Sequence, residues 1–227
     1  MNDKIKAFTL VEVLVANLLA AVLLLILLEF FVFYQYVNRQ INKLIDDQEK
    51  LRIKSSILYQ AKLNAGYIGC RRLSNNFIVQ PTGQTLITPS NIIQHFSEKR
   101  PPDFISGQPL GAIQVFRSMS AQTAEILNMP QKNELTVSYT PRFKVGNLLI
   151  VSDCQHAELV EVSHVSQSMK NKQQYLMFSQ KLKSNYMQGK VGQLTVKAFY
   201  EMKNTRGKVG FYEDVLGGRR EELFEEG

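Results

Sequence analysis

The chain has no tryptophan, two cysteines, seven prolines and thirteen glycines in 227 residues. Two thiols are too few for a disulfide-built miniprotein or a four-thiolate zinc site. So little Gly and Pro, beside 44% apolar residues, excludes a collagen-like or disordered low-complexity chain. The most telling absence is local. From Phe8 through Ala65 there is neither Gly nor Pro. As a continuous helix those 58 residues would extend about 87 Å.

The apolar residues are concentrated in that stretch. Between Val13 and Tyr34 only Asn17 and Glu29 fall outside the apolar set. Some twenty consecutive apolar residues suffice to cross a bilayer as a helix. Lys4 and Lys6 precede the run, which predicts a cytoplasmic N-terminus and an exported body. The far side reads Glu-Phe-Phe-Val-Phe-Tyr-Gln-Tyr, too bulky for a secretory cleavage site, so the segment is expected to be retained as an anchor. Past Tyr36 the helix turns polar. An apolar stripe of Val37, Ile41, Leu44, Leu51 and Leu58 remains, expected to bury itself against a partner surface or the chain's own head. Gly66 is the expected stop.

Beyond Gly66 the pattern changes. Residues 74–110 are loop-like. Short β-type runs follow at 112–117, 134–140, 147–152, 158–165, 174–180 and 193–201. The body reads as one antiparallel sheet with one face buried, leaning on the C-terminal half of the helix. The fold class is therefore α+β, divided into a leader (1–7), a transmembrane half-helix (8–36), an amphipathic half-helix (37–65) and a head (66–227).

The segment Lys6-Ala7-Phe8-Thr9-Leu10-Val11-Glu12 resembles the signal of the type IV pilin-like family: a basic leader, a small residue, then Phe-Thr-Leu-Ile/Val-Glu opening an apolar helix. The family usually has Gly where this chain has Ala7. The resemblance implies cleavage between Ala7 and Phe8, N-methylation of Phe8 by the prepilin peptidase, and an assembly role for Glu12 through the freed amino group of Phe8. A carboxylate in an apolar helix is costly unless it meets a cation, which agrees with that role. Glu29 is a second acid in the run, expected at the outer headgroup boundary.

Two further segments, Gly66-Tyr-Ile-Gly-Cys70 and Val151-Ser-Asp-Cys154, resemble those of minor pilins of the W type. An exported domain with two cysteines 84 residues apart reads as carrying one disulfide, Cys70–Cys154. The resemblance also implies the partners: the prepilin peptidase, other minor and major pilins, the inner-membrane assembly platform with its extension ATPase, and the inner membrane. The location implied is a single inner-membrane span with a periplasmic head, then the pilus. The tail, Arg220-Glu-Glu-Leu-Phe-Glu-Glu-Gly227, resembles a mid-chain family segment, so the head is expected to lack the family's C-terminal portion. A type II secretion minor pseudopilin of the J type shares most of these features. A single-span periplasmic binding protein is the reading from a different class.

No enzyme is expected. Ser152-Asp-Cys-Gln-His156 gathers a thiol and an imidazole in sequence, without the activated pair that catalysis needs. His95, His156 and His164 have no metal-site spacing, and no phosphate loop or cofactor motif is present. The formal charge of +7 is dispersed over strands and loops, and direct DNA binding is not expected.

Overall fold

A chain that lacks Gly and Pro over 58 residues has no local reason to break a helix, and in the computed structural model it does not. The structure describes residues 10–70, 72–73, 77–79, 87–139, 143–153, 155–168 and 172–225. One helix, α1, runs Leu10–Asn64. Ten strands follow: β1 (Phe77–Val79), β2 (Ile93–Phe96), β3 (Pro109–Gln131), β4 (Glu134–Ser138), β5 (Leu148–Ser152), β6 (Ala157–Ser168), β7 (Gln173–Phe178), β8 (Lys190–Lys203), β9 (Val209–Val215) and β10 (Glu221–Glu225). The fold is α+β, a long apolar N-terminal helix followed by a large, mainly antiparallel sheet. The chain divides into two units, Met1–Arg52 and Ile53–Gly227.

In the first unit α1 is the whole of the described structure, and none of its residues is buried. The side chains of Leu10, Leu14, Leu18, Leu25, Phe30 and Tyr34, on every side of the helix, are exposed. An all-round apolar helix of this length must be covered by lipid or by other protein. Of the polar half's stripe, Ile41, Leu44 and Leu51 are exposed as well.

The second unit departs from the single half-buried sheet that the sequence predicts. Strands β3, β4, β7, β6, β5 and β8 pair in that order, all antiparallel, and β8 pairs back onto β3. Six strands thus close a small barrel. Leu135, Val137, Leu149, Val151, Val160 and Leu176 fill its interior together with Phe143, Leu182 and Tyr186 from connecting loops. Apolar residues on both parities of β5 reflect this. Leu149 and Val151 point into the barrel, and Ile150 into a second core.

The first half of β3 and the second half of β8 leave the barrel as an open sheet, ordered β2-β3-β8-β9-β10. One face buries Ile113, Val115, Val196 and Tyr200 beneath Ile68, Leu73, Ile87 and Ile105. The segment read as loop therefore supplies a lid of core residues. The opposite face carries Phe116, Phe199 and Phe211. Phe199 meets Phe116 edge-on at 5.8 Å and stacks on Phe211 at 6.0 Å. Each buried ring contributes about 2–3 kcal/mol by removal from water. Among the described strands the one parallel pairing joins β1 to β6.

The transition from barrel to open sheet lies at a register shift between Met119 and Thr123 of β3, opposite Gly192 of β8. A Cβ on Gly192 would stand 2.7 Å from Cγ and Cε of Met119. A glycine here leaves room for the Met119 side chain to lie against the β8 backbone while the strand turns this corner. The barrel also holds a misfit. Gln174 is fully buried, and both its amide atoms lack a hydrogen-bond partner. An unsatisfied buried amide costs about 1–3 kcal/mol.

Two substitutions should therefore move stability in opposite directions. Gly192→Val is expected to destabilise by about 1–3 kcal/mol through overpacking. Gln174→Met, which keeps the volume and removes the unpaired amide, is expected to stabilise by about 1 kcal/mol. Urea unfolding midpoints of the full chain check both, and a lowered midpoint for Gln174→Met would show that the amide is bonded after all.

Candidate functional site

The residues singled out in sequence fall in several places. Ala7, Phe8 and Cys154 lie outside the described residues. Glu12 stands in the first turn of α1. Glu29 lies nearly three turns before Arg39, with Val32, Phe33 and Tyr36 as its neighbours toward the C-terminus. Helix α1 is long and apolar enough to cross a membrane.

In the second unit, the last turns of α1 lie on the phenylalanine face. Ile57, Leu58 and Ala61 pack there beside Ala65, with Leu223 and Phe224 of β10 at the margin. Of the five stripe positions, Leu58 alone belongs to this contact. Lys54 fixes the position by an ion pair with Glu201, and its ammonium lies 5.2 Å above the Phe211 ring. Arg72 donates to the carbonyl of Leu63 at 2.7 Å, satisfying one of the helix's open C-terminal acceptors. Gly66 then takes φ +73°, and its N–H bonds to the carbonyl of Arg117 in mid-β3. A groove of about 630 Å³ runs beside this junction, with Ile57 and Ala61 on one wall and Phe116, Phe199 and Thr195 on the other.

Cys70 is exposed at the end of the turn that follows the helix. A Cβ on the preceding Gly69 would lie 3.6 Å from Cβ of Lys190, and Lys190 is the cross-strand partner of Ser152. The described residues flanking the two cysteines thus share one neighbour. The pairing with Cys154 itself falls outside the described residues. Beside it, Oδ1 of Asp153 accepts the backbone N–H of Gln155 at 2.7 Å and that of His156. Nδ1 of His156 is 3.7 Å from the same oxygen, too far for a hydrogen bond. Asp153 shapes the turn. His95 and His164 are exposed on β2 and β6. Among the described residues no three His, Cys, Asp or Glu side chains gather as a metal site would need.

Sequence reasoning missed the two buried carboxylates. Glu158 is fully buried. Its oxygens accept the N–H of Lys183 at 2.9 and 3.0 Å, the N–H of Ser184 at 2.9 Å and the hydroxyl of Tyr186 at 3.1 Å. Asp214 accepts the Tyr200 hydroxyl at 2.7 Å and lies 3.6 Å from the Arg220 guanidinium. The signal was parity. Glu158 alternates with the inward Val160 and Val162, and Asp214 with the inward Tyr212. Burial, reinforced by Glu158, pushes the Tyr186 phenol well above its ordinary range. Burial and then Asp214 do the same to Tyr200.

No protein-family model, curated protein or solved structure matches the chain.

Removing the Glu158 carboxylate would strand two backbone donors and a hydroxyl. Glu158→Ala is expected to cost about 3–5 kcal/mol, the range for breaking a buried charged cluster, read from urea midpoints. The tyrosines set a limit on the alkaline side. Both phenols titrate higher folded than unfolded, so their stabilisation is complete below the unfolded value of about 10 and is lost as pH rises above it. The urea midpoint should fall between pH 9 and about 11. Replacing both Tyr186 and Tyr200 by Phe should flatten that slope, and an unchanged slope would assign it to other groups.

Proposed function

We propose that the chain is a structural minor pilin of the W type in the type IV pilin-like family, acting in pilus assembly or its priming. It is inserted in the inner membrane with a cytoplasmic N-terminus and periplasmic head, cut after Ala7, methylated on Phe8 and drawn into the fibre through helix packing. The observation that carries the reading is α1. An unbroken helix, apolar from Leu10 to Tyr36 save for Glu12, Asn17, Glu29 and Gln35 and striped from Ile41 to Leu51, leads into a β-rich head and opens within the Lys6–Glu12 motif. A plain anchor needs about twenty apolar residues and nothing beyond. The striped continuation, with no covering on Ile41, Leu44 or Leu51, suits a helix that is held first in lipid and later against other helices. Glu12 then pairs with the amino group that cleavage creates. The Cys70–Cys154 bridge of this reading would tie the turn after the helix to the end of β5.

Processing is the direct test. Intact mass of the membrane-extracted protein should correspond to a chain beginning at Phe8 with one added methyl, and a chain still beginning at Met1 would overturn the reading. Gene deletion is expected to reduce surface pili and twitching, and Glu12→Ala should do the same with processing intact. The bridge is checked by alkylation without reductant, where two reactive thiols would reject it.

A further inference from the structure

The outer face of the barrel brings together three metal-ligating side chains that the chain order keeps apart. Glu134 of β4 stands opposite Met177 of β7, and Met177 stands opposite His164 of β6. Residues directly opposite in antiparallel strands point to the same side, with Cβ atoms about 4.5–5.5 Å apart. The row therefore spans about 10 Å from Glu134 to His164, with the thioether in the middle. It lies on the outside, because Leu135, Leu176 and Phe178, the neighbours of Glu134 and Met177 along their strands, belong to the barrel core. Met177 is 38% exposed, His164 is exposed and Glu134 is half-buried.

His164 reaches this row through a break in strand phase. Val160 and Val162 belong to the core, so strict alternation would send His164 inward as well. Instead the register passes from Val162 opposite Phe178 to His164 opposite Met177, with Ser163 as an extra residue. Val165 then resumes the inward phase and packs against the core. A bulge of this kind re-aims a side chain, and here it sets an imidazole beside a sulfur. Met119, Met129 and Met202, by contrast, pack against the two cores. Among the described residues neither the His164 imidazole nor the Glu134 carboxylate is taken up by an ion pair or hydrogen bond.

The donor set decides the metal. Zinc takes thiolate, imidazole and carboxylate, and calcium and magnesium take oxygen, whereas a neutral thioether is soft and selects monovalent copper. Imidazole suits copper too. His164 and Glu134 alone are two ligands, and the sulfur between them makes a third. We propose that His164, Met177 and Glu134 form a surface site for monovalent copper. The imidazole nitrogen and the thioether sulfur are its main ligands, and the carboxylate closes the third side and balances the charge. The site rests on the barrel ladder and not on processing at Ala7 or on pilus assembly.

The test uses the full-length chain in mild detergent and chloride-free buffer, with free thiols alkylated and methionine methyl groups carbon-13 labelled. Silver(I) is the redox-inert probe, and copper(I) held reduced by ascorbate repeats the titration. The Met177 methyl resonance, identified by its loss in Met177→Leu, is expected to shift at metal concentrations that leave exposed Met187 unmoved. His164→Gln should raise the half-saturating concentration by at least the roughly 10–100-fold that losing a supporting group costs a metal site. Glu134→Gln should raise it less. Zinc(II) is expected to leave the Met177 methyl in place. Equal thermal midpoints show that the variants stay folded. A Met177 methyl that does not move, that moves only together with Met187, or that titrates unchanged in His164→Gln would overturn the proposal. So would zinc(II) displacing silver at equal concentration, which would mark a site for harder metals.

Discussion

The second unit depends on one pairing, that of β3 with β8. These two strands are the longest in the chain, and their ladder both closes the barrel and forms the centre of the open sheet. Everything else attaches to it. Strands β5 and β9 lie on β8, β2 and β4 on β3, and the helix end on Phe116 and Phe199, one from each. A pair this long cannot stay flat, because strands twist, and the twist would carry its ends out of register with both cores. The shift opposite Gly192 absorbs the misfit by letting Met119 lie against bare backbone. A glycine worth little locally thus decides whether two cores can share two strands.

Much of this was legible before any coordinates. The long helix follows from what is missing between Phe8 and Ala65, and its stop at Asn64 from Gly66, which adopts the left-handed φ that glycine tolerates. The runs at 134–140 and 147–152 each contain a strand, and the run at 174–180 overlaps β7 from its second residue on. What was lost has physical reasons. Strands β9 and β10 contain Gly210, Asp214 and four glutamates, a composition that local propensity scores against, and they are held by pairing and by Lys208 and Arg220. Strand β3 passes through Gly111 and Pro130, which read as breakers. Barrel closure was invisible because it rests on a contact between residues 69 positions apart, as Thr123 and Gly192 are. The lid residues Ile87 and Ile105 sit singly in Pro- and Gly-rich sequence, where no periodicity could announce them.

The candidate functional residues divide in the same way. The processing and assembly roles proposed for Ala7, Phe8 and Glu12 are recognisable because they rest on residue order along the chain. Glu158 and Asp214 are recognisable only by parity. A charged residue in phase with valines has to find its donors inside, and both do, from segments 25 residues downstream for Glu158 and 14 residues upstream for Asp214. Each replaces what an apolar side chain would do with a directional link, fixing one loop to one strand and one strand to the next.

The junction at Gly66 has a mechanical meaning. The chain leaves α1 and is tied at once, through the Gly66 N–H and the Arg117 carbonyl, to the middle of β3. A pull delivered along the helix therefore enters the head at its longest ladder, away from a fraying end. Lys54, fastened to Glu201 of β8, shares the load with the other strand of the pair. Two ties, one to each strand of the central pair, thus hold the end of the helix within the second unit.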